Sequence, residues 1–303
     1  MALLKILRPG LLTTVQDCGR WGFQARGVPV AGAMDLYSHR VANAIVGNAR
    51  DAASLEVTLL GPHVEFDAPV VFAVAGAEFH LTLDGASVRM NEPVEARRGA
   101  NLRFGNRIRG ARGYLAIAGG IAVPMVLNSR STHVASGMGG HQGRALRIGD
   151  QLEMASSAVS SAIPKARSAR PLLLPDGGAK VRVLDGAYTQ QLAGTRYQIS
   201  TRSDRMGYRL EGPTAIAAVP AELISSAVPM GAIQLPPIGQ PILLMADRAT
   251  TGGYAVAATV ITADLPIAAQ LAPGDWIAFE RCSLDDADVA LRAREQALAE
   301  GAA

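Results

Sequence analysis

Residues 242–254 read Ile-Leu-Leu-Met-Ala-Asp-Arg-Ala-Thr-Thr-Gly-Gly-Tyr, an apolar run that passes directly into a polar loop. An apolar run of this length, bounded by turn residues, is typical of a buried strand. The loop holds an acid, Asp247, beside a cation, Arg248, and its Gly252 and Gly253 let the backbone approach a ligand closely. The stretch therefore predicts a strand that presents a functional loop. The alternative is a polar corner in which Asp247 and Arg248 bond each other and the backbone.

The same pattern of short apolar runs between turn residues recurs along the chain. Similar runs occupy residues 70–75, 114–118, 181–184 and 276–279. The chain has 32 glycines and 17 prolines, which form turns between these runs. Short strands separated by frequent turns favour a mainly β fold of barrels or sandwiches. Helical signals are few. They comprise a periodic segment at 34–46 and a tail at 283–303 that opens with a capping-box-like pair, Ser283 and Asp286.

Length and composition predict how the chain is divided into domains. Its 303 residues predict two domains or one large β-rich unit. The segment 155–170 is rich in Ala and Ser and lacks periodicity, so it is the best candidate for a linker. We therefore expect an N-terminal β-barrel domain at 1–154, a C-terminal β-barrel domain at 171–282 and a helical tail at 283–303.

The two halves share a weak repeat. Ser-Arg-Ser-Thr at 129–132 corresponds to Asp-Arg-Ala-Thr at 247–250, and Leu-Arg-Ile-Gly-Asp-Gln-Leu at 146–152 corresponds to Leu-Ala-Pro-Gly-Asp-Trp-Ile at 271–277. The distance between the two blocks differs in the two halves, so the repeat is degenerate. Two barrels of related design would explain the correspondence.

Charge and cysteine content exclude several classes of function. The formal net charge is +3 with basic residues scattered along the chain, and the chain has only 6 Phe, 6 Tyr and 2 Trp, so nucleic-acid binding is not indicated. Cys18 and Cys282 lack metal-ligand spacing and are expected to be free thiols in a reducing cytosol. No signal peptide and no apolar run of about 18 residues is present, which predicts a soluble, cytoplasmic protein without membrane contact.

Three further polar segments, at 13–22, 127–133 and 203–212, are candidate binding loops because they mix charged side chains with glycine. Their candidate residues are Arg20 in the first, Ser129, Arg130 and Thr132 in the second, Asp204 and Arg205 in the third, and Gln234 in the strand that follows. The Gln234 amide could bond a polar substrate through both of its polar atoms. The structural alternatives are locally bonded turns, a hairpin tip and an edge strand.

No self-contained catalytic motif occurs in the sequence. It lacks a P-loop, G-x-S-x-G, H-E-x-x-H and C-x-x-C, and His133 and His141 have no third ligand nearby, so no metal site is predicted. His39, flanked by Arg40 on a predicted helix, could be a general base but is more typical of a solvated surface residue. Catalysis, if present, would depend on positioning and charge.

Nine strings in this order resemble one family, the biotin-dependent carboxyltransferase or allophanate hydrolase subunit 2 family. They are Thr-Val-Gln-Asp-Cys-Gly-Arg at 14–20, Gly-Val-Pro at 27–29, Gly-Ala-Met-Asp at 32–35, Leu-Glu at 55–56, Gly-Gly-Ile at 119–121, Ser-Arg-Ser-Thr at 129–132, Ser-Asp-Arg-Met-Gly at 203–207, Gly-Ala-Ile-Gln at 231–234 and Asp-Arg-Ala-Thr-Thr-Gly-Gly-Tyr at 247–254. The resemblance runs from Gly10 to about Phe279. Asn128 stands where the family usually carries Gly.

The resemblance implies two related cyclophilin-like β-barrel domains and a role as the PxpC-like component of an ATP-dependent 5-oxoprolinase that converts 5-oxo-L-proline to L-glutamate. It implies a first-subunit homologue (PxpB/KipI-like) and a lactam-hydrolase subunit (PxpA-like) as partners, with ATP used by the complex and the single chain inactive. Two alternatives follow from other members. One is the carboxyltransferase component of a urea carboxylase system with biotin on a partner, and the other is a KipA-like antagonist of a kinase inhibitor.

The chemistry common to the enzymatic members is activation of an amide-like carbonyl, which assigns roles by motif position. As catalytic residues, Asp247 would accept a substrate N–H and Arg248 would donate to the carbonyl oxygen, with glycine N–H groups as the alternative donors. Carboxylate or phosphoryl groups would be bound by Arg20, Arg130 or Arg205. The complete set of predicted substrate-binding residues is Arg20, Ser129, Arg130, Thr132, Asp204, Arg205, Gln234, Thr250, Thr251, Gly252, Gly253 and Tyr254.

Overall fold

The computed structural model describes residues 2–155, 170–213 and 223–300, and for residue 300 it describes the backbone alone. These residues form two compact units. The first unit comprises 2–20, 31–155, 170–174 and 296–300, and the second comprises 21–30, 175–213 and 223–295. Most of the predicted linker at 155–170 lies outside the described residues.

The first unit is built on one nine-stranded sheet. Its strands β1 to β9 span Ala2–Arg8, Leu12–Gln16, Ser54–Thr58, His63–Phe66, Val70–Leu83, Ala86–Val88, Val94–Ala96, Asn101–Ile117 and Gln151–Met154. The main path runs β2-β3-β8-β4-β1-β9, and β5 pairs with β6, β7 and β8. Pairing between β5 and β8 shifts register three times between Gly76 and Leu81, which bends these two long strands.

Helix α1, Leu36–Ile45, packs on β5 and β8 in the first unit. It begins because Asp35 accepts a hydrogen bond from the Ser38 backbone N–H, at 2.9 Å, which satisfies a donor that the first turn leaves without a helical partner. Beneath the sheet, apolar side chains such as Leu4, Leu55 and Leu115 are fully buried. The alternation of buried and partly exposed residues along β4 shows why these segments form strands.

The second unit contains the remaining elements, except that residues 296–300 at the end of the last helix are assigned to the first unit. Strands β10 to β18 span Gly178–Asp185, Arg196–Ile199, Gly207–Glu211, Ser226–Ala227, Ala232–Leu235, Ile242–Leu244, Thr251–Gly252, Ala255–Val260 and Trp276–Arg281. Helices α2, α3 and α4 span Thr189–Leu192, Leu265–Ala269 and Leu284–Glu300. Ser283 and Asp286 bond each other reciprocally before α4, in the manner of a capping box.

Seven strands of the second unit close into a barrel in the order β10-β17-β14-β15-β12-β11-β18. Strands β13 and β16 form a separate two-stranded ribbon. Alternate residues such as Val181 and Val183 are fully buried, as the period of two requires for a filled small barrel. The prediction of a mainly β protein with barrel architecture is confirmed, with a closed barrel in this unit and a half-barrel sheet in the other.

One turn is built in the same way in both units. In the first, Ile6 N–H donates to the Asp150 carbonyl at 2.9 Å and Gly149 N–H donates back to Ile6 at 2.9 Å. In the second, Ile199 N–H donates to the Asp275 carbonyl at 2.8 Å and Gly274 N–H donates back to Ile199 at 2.8 Å. The segments 146–152 and 271–277, which correspond in sequence, therefore also make the same pair of backbone hydrogen bonds.

Two further predictions concern the chain as a whole. Cys18 and Cys282 are free thiols, as expected. Among the helices that the structure describes, none combines the length and the apolar character needed to cross a bilayer.

Candidate functional site

The loop at 247–254 is held by an ion pair that joins two distant segments of the second unit. Arg205 Nε lies 2.9 Å from Asp247 Oδ2, and Arg205 Nη2 lies 2.8 Å from Asp247 Oδ1. Both side chains are about 95% buried, so the pair depends on this two-bond geometry to offset its loss of hydration. Asp247 thus bonds a cation 42 residues away instead of Arg248, its neighbour in sequence.

Backbone hydrogen bonds reinforce the same junction. Asp247 N–H donates to the Arg205 carbonyl at 2.8 Å, and Met245 N–H donates to the Met206 carbonyl at 2.9 Å. Asp204 is exposed, and its Oδ1 accepts from the Met206 and Gly207 N–H groups at 2.8 and 3.3 Å. The predicted binding residue Asp204 therefore shapes the turn that carries Arg205.

Beside this junction lies a cavity of about 220 Å³ in the second unit. Its lining residues are Arg202, Asp204, Met206, Gly207, Arg209, Val228, Gln234, Ile242, Leu244, Arg248, Ala249 and Thr251. The volume is below the roughly 300–1,000 Å³ of pockets for drug-sized ligands, so it suits a small molecule. Apolar side chains form part of the wall, and the polar side chains on the wall come from five strands or loops.

Gln234 is the buried polar side chain of this cavity. The residue is only 6% exposed, and its Nε2 is fully buried without a hydrogen-bond partner among the described residues. A buried amide without a partner costs about 1–3 kcal/mol, so natural proteins rarely retain one without a reason.

Gly252 makes room for that amide. A Cβ atom at position 252 would lie 2.2 Å from Gln234 Nε2, well inside van der Waals contact. Any larger residue at 252 must therefore displace the Gln234 amide. The glycine that the sequence suggested for close approach of a ligand instead allows close approach of Gln234.

Arg248 is the buried cation of the cavity. It is 8% exposed, and its Nε donates to the Val228 carbonyl at 3.1 Å, with Nη1 at 3.5 Å from the Met245 carbonyl. No carboxylate among the described residues pairs with it. Burial lowers the pKa of Arg248 below its usual value, as expected for a cation held away from water without a counter-ion.

Of the remaining predicted residues of this loop, Thr251 lines the cavity. Thr251 is exposed and belongs to the lining, and the Thr250 carbonyl accepts from Val228 N–H at 3.2 Å. Tyr254 is 45% exposed. Gly253 leaves space for a Cβ atom, with the Leu223 carbonyl 3.4 Å away, so its surroundings do not require glycine.

In the first unit, the other predicted residues gather around Asp17. Its Oδ1 accepts hydrogen bonds from the Ser129 hydroxyl at 2.7 Å and from the Ser131 hydroxyl, and its Oδ2 accepts from Arg130 N–H at 2.5 Å. Asp17 is 6% exposed, and both serines are fully buried. This carboxylate therefore organises the Ser-Arg-Ser-Thr loop, with Ser129 bonded inward.

Arg20 and Thr132 also bond to the backbone of the first unit. Arg20 is fully buried and donates through Nε to the Val126 carbonyl at 2.9 Å and through Nη2 to the Ser131 carbonyl at 2.8 Å. Thr132 Oγ1 donates to the Val15 carbonyl at 2.9 Å. Arg130 is partly exposed, and its Nε donates to the Val123 carbonyl at 3.0 Å. These contacts order the loop, and the substrate roles predicted for its residues stay predictions.

His39 is not the solvated residue that its neighbours predict. It is fully buried, with Nδ1 2.9 Å from Ser54 Oγ and Nε2 3.3 Å from Asn43 Nδ2. The prediction was wrong because α1 is buried around most of its circumference, so Arg40 beside it did not mark a surface position. Burial lowers the pKa of His39 to about 4.

A second buried polar group lies next to His39 and was not predicted. The Tyr114 hydroxyl donates to Glu56 Oε2 at 2.8 Å and accepts from Asp35 N–H at 2.8 Å. Burial raises the pKa of Tyr114 well above its usual value, so it is protonated at neutral pH. Met34 N–H also donates to Glu56 Oε2, at 2.8 Å, so this cluster fixes the loop before α1.

Sequence reasoning also missed two cations of the cavity, Arg202 and Arg209. A signal for Arg209 was available. It lies between two buried residues of β12, Tyr208 and Leu210, so the period of two places it on the opposite face of the strand. Arg202 precedes the strand, and no periodicity locates it.

Comparison with known proteins defines the class to which this fold and cavity belong. Residues 26–281 match the family described as carboxyltransferase domain, subdomains A and B. The chain belongs to this family. It is 40% identical to a 5-oxoprolinase subunit of Escherichia coli, the one designated C, over 97% of this chain and 94% of the relative. It is 36% identical to the protein of the same name from Haemophilus influenzae, over 94% and 93%.

A solved structure agrees with the fold. The crystal structure of the Kluyveromyces lactis urea amidolyase superimposes with a TM-score of 0.90 at 33% identity. The match covers 99% of this chain and 20% of that one, so the chain spans about a fifth of the larger protein.

Proposed function

We propose that the chain is the PxpC-like component of an ATP-dependent 5-oxoprolinase complex that converts 5-oxo-L-proline to L-glutamate. The 40% identity to the Escherichia coli protein extends over nearly the whole of both chains, which supports the same role. A lactam is a cyclic amide, and the second unit offers a small cavity with an amide and a cation for such a ligand.

The observation that carries the proposed site is the pair formed by Gln234 and Arg248. Both are more than 90% buried and both line one cavity, and among the described residues Gln234 Nε2 has no hydrogen-bond partner and Arg248 pairs with no carboxylate. Donors held in place before the substrate arrives stabilise charge that develops on a carbonyl oxygen without reorganisation. The predicted role of Arg248 as such a donor is retained in this proposal.

Asp247 has a different place in the proposal. Each of its carboxylate oxygens accepts a hydrogen bond from Arg205, which reduces its capacity to accept a substrate N–H. We assign it to positioning, because its pairing with Arg205 orders the loop from which Arg248 reaches the cavity. Its predicted role as a catalytic acceptor stays a prediction that turnover measurements can test.

The proposed complex includes a first-subunit homologue (PxpB/KipI-like) and a lactam-hydrolase subunit (PxpA-like). ATP is used by the complex, and the single chain is proposed to be inactive, since the sequence has no P-loop to hold phosphates. A cytoplasmic location fits use of ATP and free thiols.

Reconstitution tests the proposal. The full chain is purified with the two partner subunits, and glutamate formed from 5-oxo-L-proline and ATP is measured with each protein omitted in turn. We expect turnover in the full mixture and its loss on omission of this chain. Equal turnover without this chain would refute the proposal.

The second candidate is a carboxyltransferase component that acts on urea with biotin on a partner. It is favoured by the similarity to the Kluyveromyces lactis urea amidolyase, at a TM-score of 0.90. A biotinylated carrier added to the reconstituted mixture separates the two candidates. Carrier-dependent carboxylation of urea would support this second role.

A further inference from the structure

We propose that one end of the first unit's sheet binds the first-subunit homologue through a face that is both apolar and basic. The face consists of an apolar pair, Leu11 and Leu60, and a basic row, Arg8, His63 and Arg103. The matching face of the partner presents apolar side chains beside carboxylates. This inference rests on the proposed function in its choice of partner, and it concerns residues that do not line the candidate cavity.

The apolar pair brings together two loops that are distant in sequence. Leu11 is 60% exposed in the β1–β2 loop, and Leu60 is 59% exposed in the β3–β4 loop. The two residues are joined because Leu11 N–H donates to the Leu60 carbonyl at 3.1 Å. A single exposed leucine is common on a protein surface, but two leucines held together form an apolar patch that a partner protein can cover.

Close backbone packing fixes the apolar pair in place. Gly10 has a φ of 75°, and a Cβ atom there would lie 2.2 Å from the Leu60 carbonyl oxygen. A Cβ atom at Gly61 would lie 2.3 Å from the Cβ atom of Phe104 in β8. The two loops and β8 therefore pack directly on one another. Leucines presented by such a rigid surface lose little conformational entropy when a partner binds.

The backbone before Leu60 is strained. Leu60 N–H donates to the Thr58 carbonyl at 2.7 Å, and Leu59 between them has a φ of 59°. A hydrogen bond that spans two residues around a positive φ defines a form of γ-turn that is rare and unfavourable. A large side chain at positive φ adds to the strain. Strain of this kind is concentrated at functional sites, and here it sets the position of an exposed leucine.

The basic row crosses three neighbouring strands. Arg8 of β1 lies opposite His63 of β4, and His63 lies opposite Arg103 of β8, so the three side chains share one face of the sheet. Partial burial lowers the pKa of His63, and the charges of Arg103 and Arg8 lower it further. Neither arginine forms an ion pair with a residue that the structure describes. Carboxylates of a partner would therefore complement this row.

Charge decides between the possible occupants of this face. A twofold interface between two copies of the chain would bring the two basic rows towards each other, which is unfavourable. The segment 155–170 carries Lys165, Arg167 and Arg170 and no acidic residue, so it does not complement the row either. A small inorganic anion would leave the apolar pair in water. An acidic and partly apolar protein face matches both halves of the surface.

Leu60→Ser tests the apolar pair. Binding of the first-subunit homologue to the full chain is measured by calorimetry, and we expect the variant to bind about ten-fold or more weakly. Met125→Ser is the matched control and should stay within about two-fold, since contacts outside an interface contribute little. Met125 is 54% exposed and lies beside Val126, whose carbonyl binds Arg20 beyond the other end of β2.

Two results would overturn the apolar pair as a contact. One is an unchanged affinity of Leu60→Ser for the first-subunit homologue, with a thermal midpoint that confirms folding. The other is the absence of saturable binding by the wild-type chain. Sedimentation of the chain alone tests the competing occupant, because a wild-type dimer that Leu60→Ser dissociates would assign the face to a second copy and contradict the inference.

Arg103→Glu tests the basic row. We expect about ten-fold or more weakening at low salt, and a smaller salt dependence of the affinity than in wild type. Arg50→Glu is the control with the same change of charge, because Arg50 is exposed and precedes β3, whose other end leads to Leu60. Equal weakening by the two reversals would mean that net charge, and not the row, governs binding.

The docking face and the proposed function fail separately. Binding through this face without turnover in the reconstituted complex would refute the proposed function and leave the docking face intact. Turnover that requires this chain, together with wild-type affinity in Leu60→Ser and Arg103→Glu, would refute the docking face and leave the proposed function intact.

Discussion

Asp247 and Arg248 are neighbours in sequence with opposite surroundings. Asp247 pairs through two hydrogen bonds with Arg205, whereas Arg248 contacts backbone carbonyls and lines the cavity. The sequence predicts an acid and a cation on a loop after a strand. It does not predict which cation pairs with Asp247, because that choice depends on the approach of a segment 42 residues away.

Asp247→Asn should therefore destabilise the folded chain strongly. Removing one partner leaves the Arg205 guanidinium buried without its counter-ion, which costs about 3–5 kcal/mol in comparable buried pairs. The free energy of unfolding from urea titration measures the effect. Asp185→Asn is the control, since the Asp185–Arg281 pair is about half exposed and should contribute much less. Equal losses in the two variants would contradict the structural role of Asp247.

His39 should make stability depend on pH. Its folded pKa is lowered to about 4 by burial, whereas the unfolded value is about 6.5, so the unfolded chain binds the proton more readily. The contribution of neutral His39 to the free energy of unfolding is fully present above about pH 6.5. It is lost as the pH falls toward 4, and the total loss is about 3 kcal/mol.

The His39→Gln variant isolates this contribution to stability. The difference in unfolding free energy between wild type and variant should change between pH 7 and pH 4 by an amount of that order. A difference that is constant across this range would show that His39 is protonated equally in the folded and unfolded chains.

At the scale of elements, the repeated Gly-Asp turn shows what a weak sequence repeat can predict. Gly149 and Gly274 both have positive φ, at 86° and 94°, which a glycine adopts readily. Asp150 Oδ2 accepts from Arg147 N–H at 2.7 Å, and Asp275 Oδ2 accepts from Ala272 N–H at 2.8 Å. The turn depends on local residue types, so it could be predicted.

The two copies of this turn differ in their ion pairs. In the first unit Arg144 also bonds Asp150, with Nη1–Oδ2 at 2.7 Å and Nη2–Oδ1 at 2.9 Å. This hydrogen-bonded pair lowers the pKa of Asp150 to about 2, with a smaller contribution from the Arg147 N–H. The lowered pKa means that this stability is present above pH of about 4 and is lost as pH falls toward 2.

Arg144→Gln should remove that acid dependence. Urea unfolding between pH 5 and pH 2.5 should show a smaller loss of stability in the variant than in wild type over the interval below pH 4. Parallel curves for the two proteins would mean that Arg144 does not set the titration of Asp150.

At the scale of the whole molecule, hydrophobic periodicity predicts the mainly β fold because each strand carries its own pattern. The same periodicity does not predict how the barrel closes or which residues line the cavity. Val228, Gln234 and Arg248 meet only after distant strands pair, and the requirement for glycine at 252 appears only when Gln234 lies against it. The candidate site is formed by the pairing of strands that are distant in sequence and not by the local conformational preferences of its residues.

Membership in the carboxyltransferase-domain family, and the identity to two relatives that are named as components of 5-oxoprolinase, point to a chain that works within a complex. We propose above all that this complex acts on a lactam and not on urea. Fold similarity does not decide this choice of substrate, because 5-oxoprolinase and urea amidolyase relatives both match this chain.

The most direct measurement is a substrate comparison in the reconstituted complex with ATP. Glutamate release from 5-oxo-L-proline is followed beside carboxylation of urea in the presence of bicarbonate and a biotinylated carrier. We predict ATP-dependent glutamate release that requires this chain and no carrier. Carrier-dependent carboxylation of urea, without glutamate release from 5-oxo-L-proline, would contradict this prediction.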